Sequence, residues 1–200
     1  MPSPTAGSIQ GLADGSSWPP PARRRRPRRL ARRILIGGAV LLLAFAGLSG
    51  RLLIWPTQGM PARVDAILTL AGPGNRLPVA VELAREHRAS VLVVSQGHLG
   101  YGGPCPAPIE GVRIICFDPD PADTRGEAEY LGRLAQRNGW TSIVVVATPE
   151  QATRARLLVS RCYPGSVYVL TAPVPRSQVP YQVMYGWGAL IKALTLQRAC

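Results

Sequence analysis

The stretch "IVVVATPEQATRAR", Ile143 to Arg156, runs four aliphatic residues into a threonine, a proline and two arginines. Thr148 suits a helix N-cap, Pro149 the first helical position, and Gln151 completes a Thr-x-x-Gln capping box. Capping does not account for Arg154, which stands a turn further on. An arginine there can clamp an anion that the helix N-terminus already favours. Three other stretches carry related chemistry. In "AGPGNRLP", Gly72 and Gly74 let the backbone approach a ligand, Asn75 can cap the next helix, and Arg76 can add a bidentate contact. In "SQGHLGYGGP", Ser95, Gly97 and His98 put a hydroxyl, a close-approach glycine and a general-base candidate into one glycine-rich loop. In "DTRGEAEY", Thr124 and Glu127 have capping-box spacing, and Glu127 is a second candidate for proton transfer. Asp118, Asp120 and Asp123 lie nearby, but prolines separate them and they lack the spacing of a calcium loop, so no metal is expected.

These four stretches need elements to hold them. Each follows or adjoins a short run of aliphatic residues: 65–72, 90–97, 112–118 and 142–148, with a fifth run at 167–172. The runs are nearly continuous rather than alternating, as in strands buried on both faces of a parallel sheet. Helical spacing falls between them: Leu77, Ala80, Val81 and Ala84; then Ala128, Leu131, Leu134 and Ala135; then Ala155, Leu158, Val159 and Cys162. Val183, Trp187, Leu190, Ile191 and Leu194 form a last stripe, too short to span a bilayer and suited to core packing or membrane-surface contact. Strand–helix alternation implies right-handed crossovers and a Rossmann-like, doubly wound, mostly parallel α/β sheet of about five strands. Such sheets bind ligands beyond the carboxyl ends of their strands, where the four stretches fall.

The net charge of +12 reads at first as a nucleic-acid signal. Its distribution says otherwise. Eight of the 23 basic residues lie between Arg23 and Arg33, whereas from Pro56 onward 14 basic residues face 10 acidic ones, a difference of only +4. The arginine run directly precedes an uncharged stretch, Ile34 to Gly50, and counting on past Arg51 to Trp55 gives 22 residues. That length crosses a hydrocarbon core of about 30 Å, with Arg51 able to snorkel and Trp55 suited to the interface. The expected order is a disordered, Arg-rich cytoplasmic tail (1–33), a transmembrane signal-anchor (34–55), a linker (56–63) and an α/β domain (64–200). The positive-inside rule sends that domain out of the cytoplasm. A cleaved signal peptide is the rival, but no Ala-x-Ala site precedes Arg51. The membrane is the expected partner and nucleic acid is not. Four cysteines allow three pairings. Cys105–Cys116 closes a short loop and is the preferred pair, with buried free thiols as the alternative.

Taken in order, "ILTLAGPGNRL", "VVSQG", "DTRGEA" and "ATPEQATRA" resemble the motifs of the YdcF-like family, which includes the SanA and ElyC envelope proteins. The resemblance covers roughly residues 64–196. It implies a Rossmann-like domain, often behind one N-terminal membrane helix, and a link to envelope integrity or to peptidoglycan and lipid-carrier metabolism. A nucleotide-type ligand such as S-adenosylmethionine is associated with cytosolic relatives; no cofactor is expected for this chain. By position Gly72, Arg76, Ser95, Gly97, Thr124, Glu127, Thr148 and Arg154 match the family's crevice residues. Three departures stand out. Gln151 takes the place of the family histidine and cannot exchange a proton near neutral pH. Ser-Gly-Gly has become Ser95-Gln96-Gly97. The acidic residue that often opens the last helix is missing around Tyr185 and Gly186. The expectation is an extracytoplasmic crevice for an anionic ligand, a polyprenyl-phosphate-linked sugar being the class named, with a non-enzymatic envelope scaffold as the alternative.

Overall fold

The computed structural model of the chain describes residues 26–72, 74–97 and 104–200. Expectations for the first 25 residues, and for His98, lie outside the described residues. Five strands form one sheet: β1 (Ala66–Thr69), β2 (Val91–Ser95), β3 (Arg113–Phe117), β4 (Ser142–Ala147) and β5 (Ser166–Thr171). They lie in the order β3-β2-β1-β4-β5 and every neighbouring pair is parallel. The expected strands are therefore all present, and the sheet is wholly parallel. Side chains on β1, β2 and β4 alternate between two cores. One core takes Leu68, Val93 and Val145 against α3 (Thr124–Asn138) and α4 (Pro149–Cys162). The other takes Ile67, Leu92 and Val144 against α2 (Arg76–Arg85). Burial on both faces is why these strands read as unbroken aliphatic runs.

Strand order reverses direction between β1 and β4, and their carboxyl ends open a crevice at that switch point. The first element, α1 (Arg26–Ser49), continues into a π-helical turn, Gly50–Ile54. The residues Arg26 to Arg33, expected to be disordered, are helical and continuous with the apolar run. Arginine, leucine and alanine are good helix formers, so an existing helix extends through them at little cost. The helical stretch Arg29–Ile54 is long and apolar enough to cross a membrane.

By contact density the chain divides into residues 1–41 and a unit of residues 42–200. Within the second unit the end of the apolar helix is part of the packing. Leu53 is 2% exposed, the Leu52 carbonyl accepts from Thr153 Oγ1, and Trp187 Nε1 donates to Ser49 Oγ. The segment expected as a linker is stitched down as well. Gly59 N–H donates to the Val169 carbonyl of β5, and Gln58 Oε1 accepts from Thr171 N–H.

α5 (Val179–Thr195) departs from its expected stripe. Its buried face is Gln182, Gly186, Leu190 and Ala193, while Ile191 and Leu194 point outward. Small Gly186 lets α4 and Leu53 approach closely: a Cβ there would meet Leu53 Cδ2 at 3.1 Å and Glu150 Cβ at 3.2 Å. Two disulfides close the fold, the expected Cys105–Cys116 and a second, Cys162–Cys200, which ties the C-terminus to the end of α4.

Candidate functional site

A cavity of about 690 Å³ sits over the switch point, lined among others by Gly72, Gly97, Thr124, Glu127, Gln151 and Arg154. Six of the residues singled out by sequence thus share one wall. Arg76 lies beneath them, 3% exposed, with its guanidinium under the Gly72 backbone. Gly72 adopts φ 118°, and a Cβ added there would stand 2.7 Å from Arg76 Nη2, so a side chain would take the guanidinium's place. Gly74, also at φ 118°, faces Thr148 Cγ2 in the same way.

Neither expected capping box forms. The N-cap of α3 is Asp123, whose Oδ1 accepts from the N–H groups of Arg125 and Gly126. Glu127 turns away from that helix end, and its Oε1 accepts from Ala71 N–H at 2.6 Å, 56 residues away in sequence. Thr148 occupies the N-cap position of α4 but donates its hydroxyl to Glu150 Oε1 at 2.5 Å instead of capping. Gln151 Oε1 accepts from Arg76 Nη1 at 2.5 Å, and its Nε2 points at Thr124 Oγ1 at 3.4 Å. Asn75 stands at the N-cap of α2 and makes no side-chain cap. The physical reason is common to these cases. A capping box needs the third-residue side chain for the local backbone. Here Glu127 and Gln151 are drawn across the crevice by stronger, partly charged donors from β1's tip and Arg76.

Burial shapes the electrostatics. Glu127 is 2% exposed, and desolvation pushes its carboxyl up to about 7 against the Ala71 N–H, the Ser95 hydroxyl and the charges of Arg76 and Arg154. Burial likewise lowers Arg76 from its ordinary value, against Glu127 and Glu150, yet a guanidinium stays protonated at neutral pH. Ser95 Oγ lies close enough to Glu127 to favour its ionised form, but without the geometry of a hydrogen bond. Ser95 Oγ and Arg154 Nε are both buried without a hydrogen-bond partner among the described residues. Arg154 lines the cavity and Ser95 lies outside its lining, so the Arg154 Nε is the orphaned donor placed to meet a ligand. The crevice therefore offers the Arg154 guanidinium and the Thr124 hydroxyl in its wall, the Arg76 charge beneath it, and one carboxyl that titrates at about 7.

Two contributors were not anticipated. Tyr185 lies in the cavity wall with its ring 5.7 Å from the Arg154 guanidinium carbon, a cation–π distance. Lys192 also lines the cavity and donates to Asp123 Oδ2 at 3.2 Å, beside Gln197 Nε2 at 2.7 Å on the same oxygen. Both come from α5, whose register a sequence stripe could not fix. Thr148, expected to contact a ligand, is buried behind the rim and braces Gly74 and Glu150.

Fold and crevice together define a Rossmann-like α/β protein with an N-terminal helix able to cross a membrane. No protein-family model and no curated protein matches the sequence.

Proposed function

We propose that this chain is a membrane-anchored, extracytoplasmic protein of the YdcF-like kind whose crevice binds a phosphorylated cell-envelope precursor. A polyprenyl-phosphate-linked sugar is the substrate class that the reading names. The observation that carries it is the meeting of Arg76 and Arg154 at the β1–β4 switch point, with hydroxyls and an orphaned guanidinium donor around the same cavity. Arg154 is the accessible clamp, and Arg76 sets the positive potential from beneath. Thr124 orients the ligand. Glu127, the buried carboxyl near its midpoint at neutral pH, is the group that would give or take a proton.

Gln151 favours a second reading, an envelope scaffold without catalysis, because its amide is engaged with Arg76 and Thr124 and has no proton to exchange. Binding separates the two. The full chain in detergent is heated with phosphate, nucleotide-sugars, short polyprenyl phosphates and S-adenosylmethionine, as wild type and as Arg154→Ala. A binder raises the melting temperature by mass action. The expected result is a shift with a phosphorylated lipid or sugar that weakens at least tenfold in apparent affinity in the variant, since hydrogen bonds to charge are each worth about 1.5–3 kcal/mol. No shift with any of them moves the reading to the scaffold, and an equal shift in the variant removes the crevice from it.

A further inference from the structure

The outer face of α5 has no cover. Tyr181, Met184, Tyr185, Ile191 and Leu194 are between 48% and 78% exposed, and their spacing puts them on one side of the helix. From Arg176 to Cys200 every charged side chain is basic: Arg176, Lys192 and Arg198. Lys192 is paired with Asp123, the N-cap of α3; an apolar helix face flanked by basic side chains is the composition of a helix lying in a membrane interface.

Length supplies an independent argument. Ile34 to Leu48 are all exposed, and these 15 residues rise roughly 22 Å as a helix. A hydrocarbon core is about 30 Å thick. On its C-terminal side the apolar helix continues into residues 49–54, where Ser49, Gly50 and Leu53 are buried in the folded unit and Ser49 and Leu53 lie against α5 itself. Trp187 is stacked on Phe45 at 5.4 Å between ring centres, and Phe45 belongs to the apolar run. A bilayer that covers Phe45 therefore reaches the level of Trp187. Trp55, Tyr181 and Tyr185, all exposed, supply the aromatic rings usual at a membrane–water boundary.

We propose that the outer face of α5 is seated in the headgroup region of the bilayer crossed by the N-terminal helix, so that the crevice opens at the lipid surface. The inference rests on the reading of Arg29–Ile54 as a membrane span. Tyr185 joins the two surfaces, since it belongs to the apolar face and also lines the cavity beside Arg154. A ligand whose phosphate sits at headgroup depth reaches Arg154 without leaving the membrane.

The test is photolabelling from the lipid side. The full chain is reconstituted in vesicles of phosphatidylcholine and phosphatidylglycerol containing a lipid with a diazirine on its acyl chain near the glycerol. After irradiation, reduction and trypsin digestion, adducts are mapped by mass spectrometry. The expected adducts fall in the span and in the peptide Ser177 to Lys192, with none in Leu77 to Arg85 from α2 on the opposite face of the sheet. Labelling in the span with none in Ser177 to Lys192 overturns the seating of α5 and leaves the anchor standing. No labelling in the span overturns the anchor and the inference with it. If a second copy covers this face instead, Ser177 to Lys192 stays unlabelled and an amine cross-linker joins two chains through Lys192, the sole lysine of the sequence.

Discussion

Glu127 concentrates the chemistry of the crevice in one proton. Its folded carboxyl titrates at about 7 instead of the usual 4.5, chiefly because burial disfavours its charge. A raised carboxyl binds its proton more tightly in the folded than in the unfolded chain, so its contribution is fully present below about 4.5 and is lost as pH rises to about 7. The span of the shift corresponds to about 3 kcal/mol at most. Unfolding in denaturant from pH 4.5 to 8 is expected to show stability falling through this window and then levelling. Glu127→Gln keeps an oxygen for Ala71 N–H and is expected to flatten the profile; a profile unchanged in the variant would assign the proton elsewhere. Asp65 acts in a separate window. Burial pushes it up, but N–H and hydroxyl donors from Thr141 and Ser142 outweigh that and hold it below 3.8, so its contribution fades only in stronger acid. On the proposed reading of the crevice, the same Glu127 proton is also expected to tune binding. A phosphodiester, whose single charge is constant here, is expected to bind more weakly above pH 7, where a second negative charge faces it.

The β1–α2 turn shows how an element holds the site. Gly72 is at φ 118°, a conformation that costs other residues about 1–3 kcal/mol, and its missing Cβ leaves room for the Arg76 guanidinium. Gly72→Ala is expected to lose that much stability and to weaken phosphate-ester binding more than tenfold by displacing Arg76, measured by melting and by titration calorimetry. Loss of stability with affinity intact would mean that Arg76 does not act on the ligand. Gly126 offers the contrast: a Cβ there would meet the Pro121 carbonyl at 2.0 Å, backbone that cannot step aside, so the change is structural alone. Elements were legible in the sequence where burial is two-sided, as in the aliphatic runs of β1, β2 and β4. The tips were legible as places where Gly72, Arg76, Glu127 and Arg154 would gather. What misled was local pattern. Thr124–Glu127 and Thr148–Gln151 have capping-box spacing, but the partners that claim Glu127 and Gln151 lie 56 and 75 residues away, beyond any local rule. In α5 the packed face is set by Gln182, Gly186 and Ala193 together with Leu190, so of the expected stripe Leu190 faces the core while Ile191 and Leu194 are exposed.

For the whole molecule the question is whether the N-terminal helix is a tether or a part of the fold. A tether can be cut or altered without effect on the domain it holds. Here Leu53 is 2% exposed, its side chain lies where Gly186 leaves space, and its neighbours Leu52 and Ser49 are bonded to Thr153 and Trp187. The C-terminus is fixed to the same region, with Arg161 Nη1 donating to the Ala193 and Gln197 carbonyls next to the Cys162–Cys200 disulfide. Residues 49–53, α4 and α5 thus form one packed layer on the side of the sheet that carries the crevice wall. Removing a buried leucine side chain from such a layer costs about 2–5 kcal/mol. Leu53→Ala in the full chain, in detergent, is therefore expected to lower stability against denaturant by that amount, whereas Leu43→Ala, exposed on the helix ten residues earlier, is expected to change it little. The variant is also expected to loosen α5 and so to weaken ligand binding through Tyr185, although Leu53 does not line the cavity. Equal stability of the two variants would make the helix a tether, and the crevice would then owe nothing to the apolar helix that precedes it.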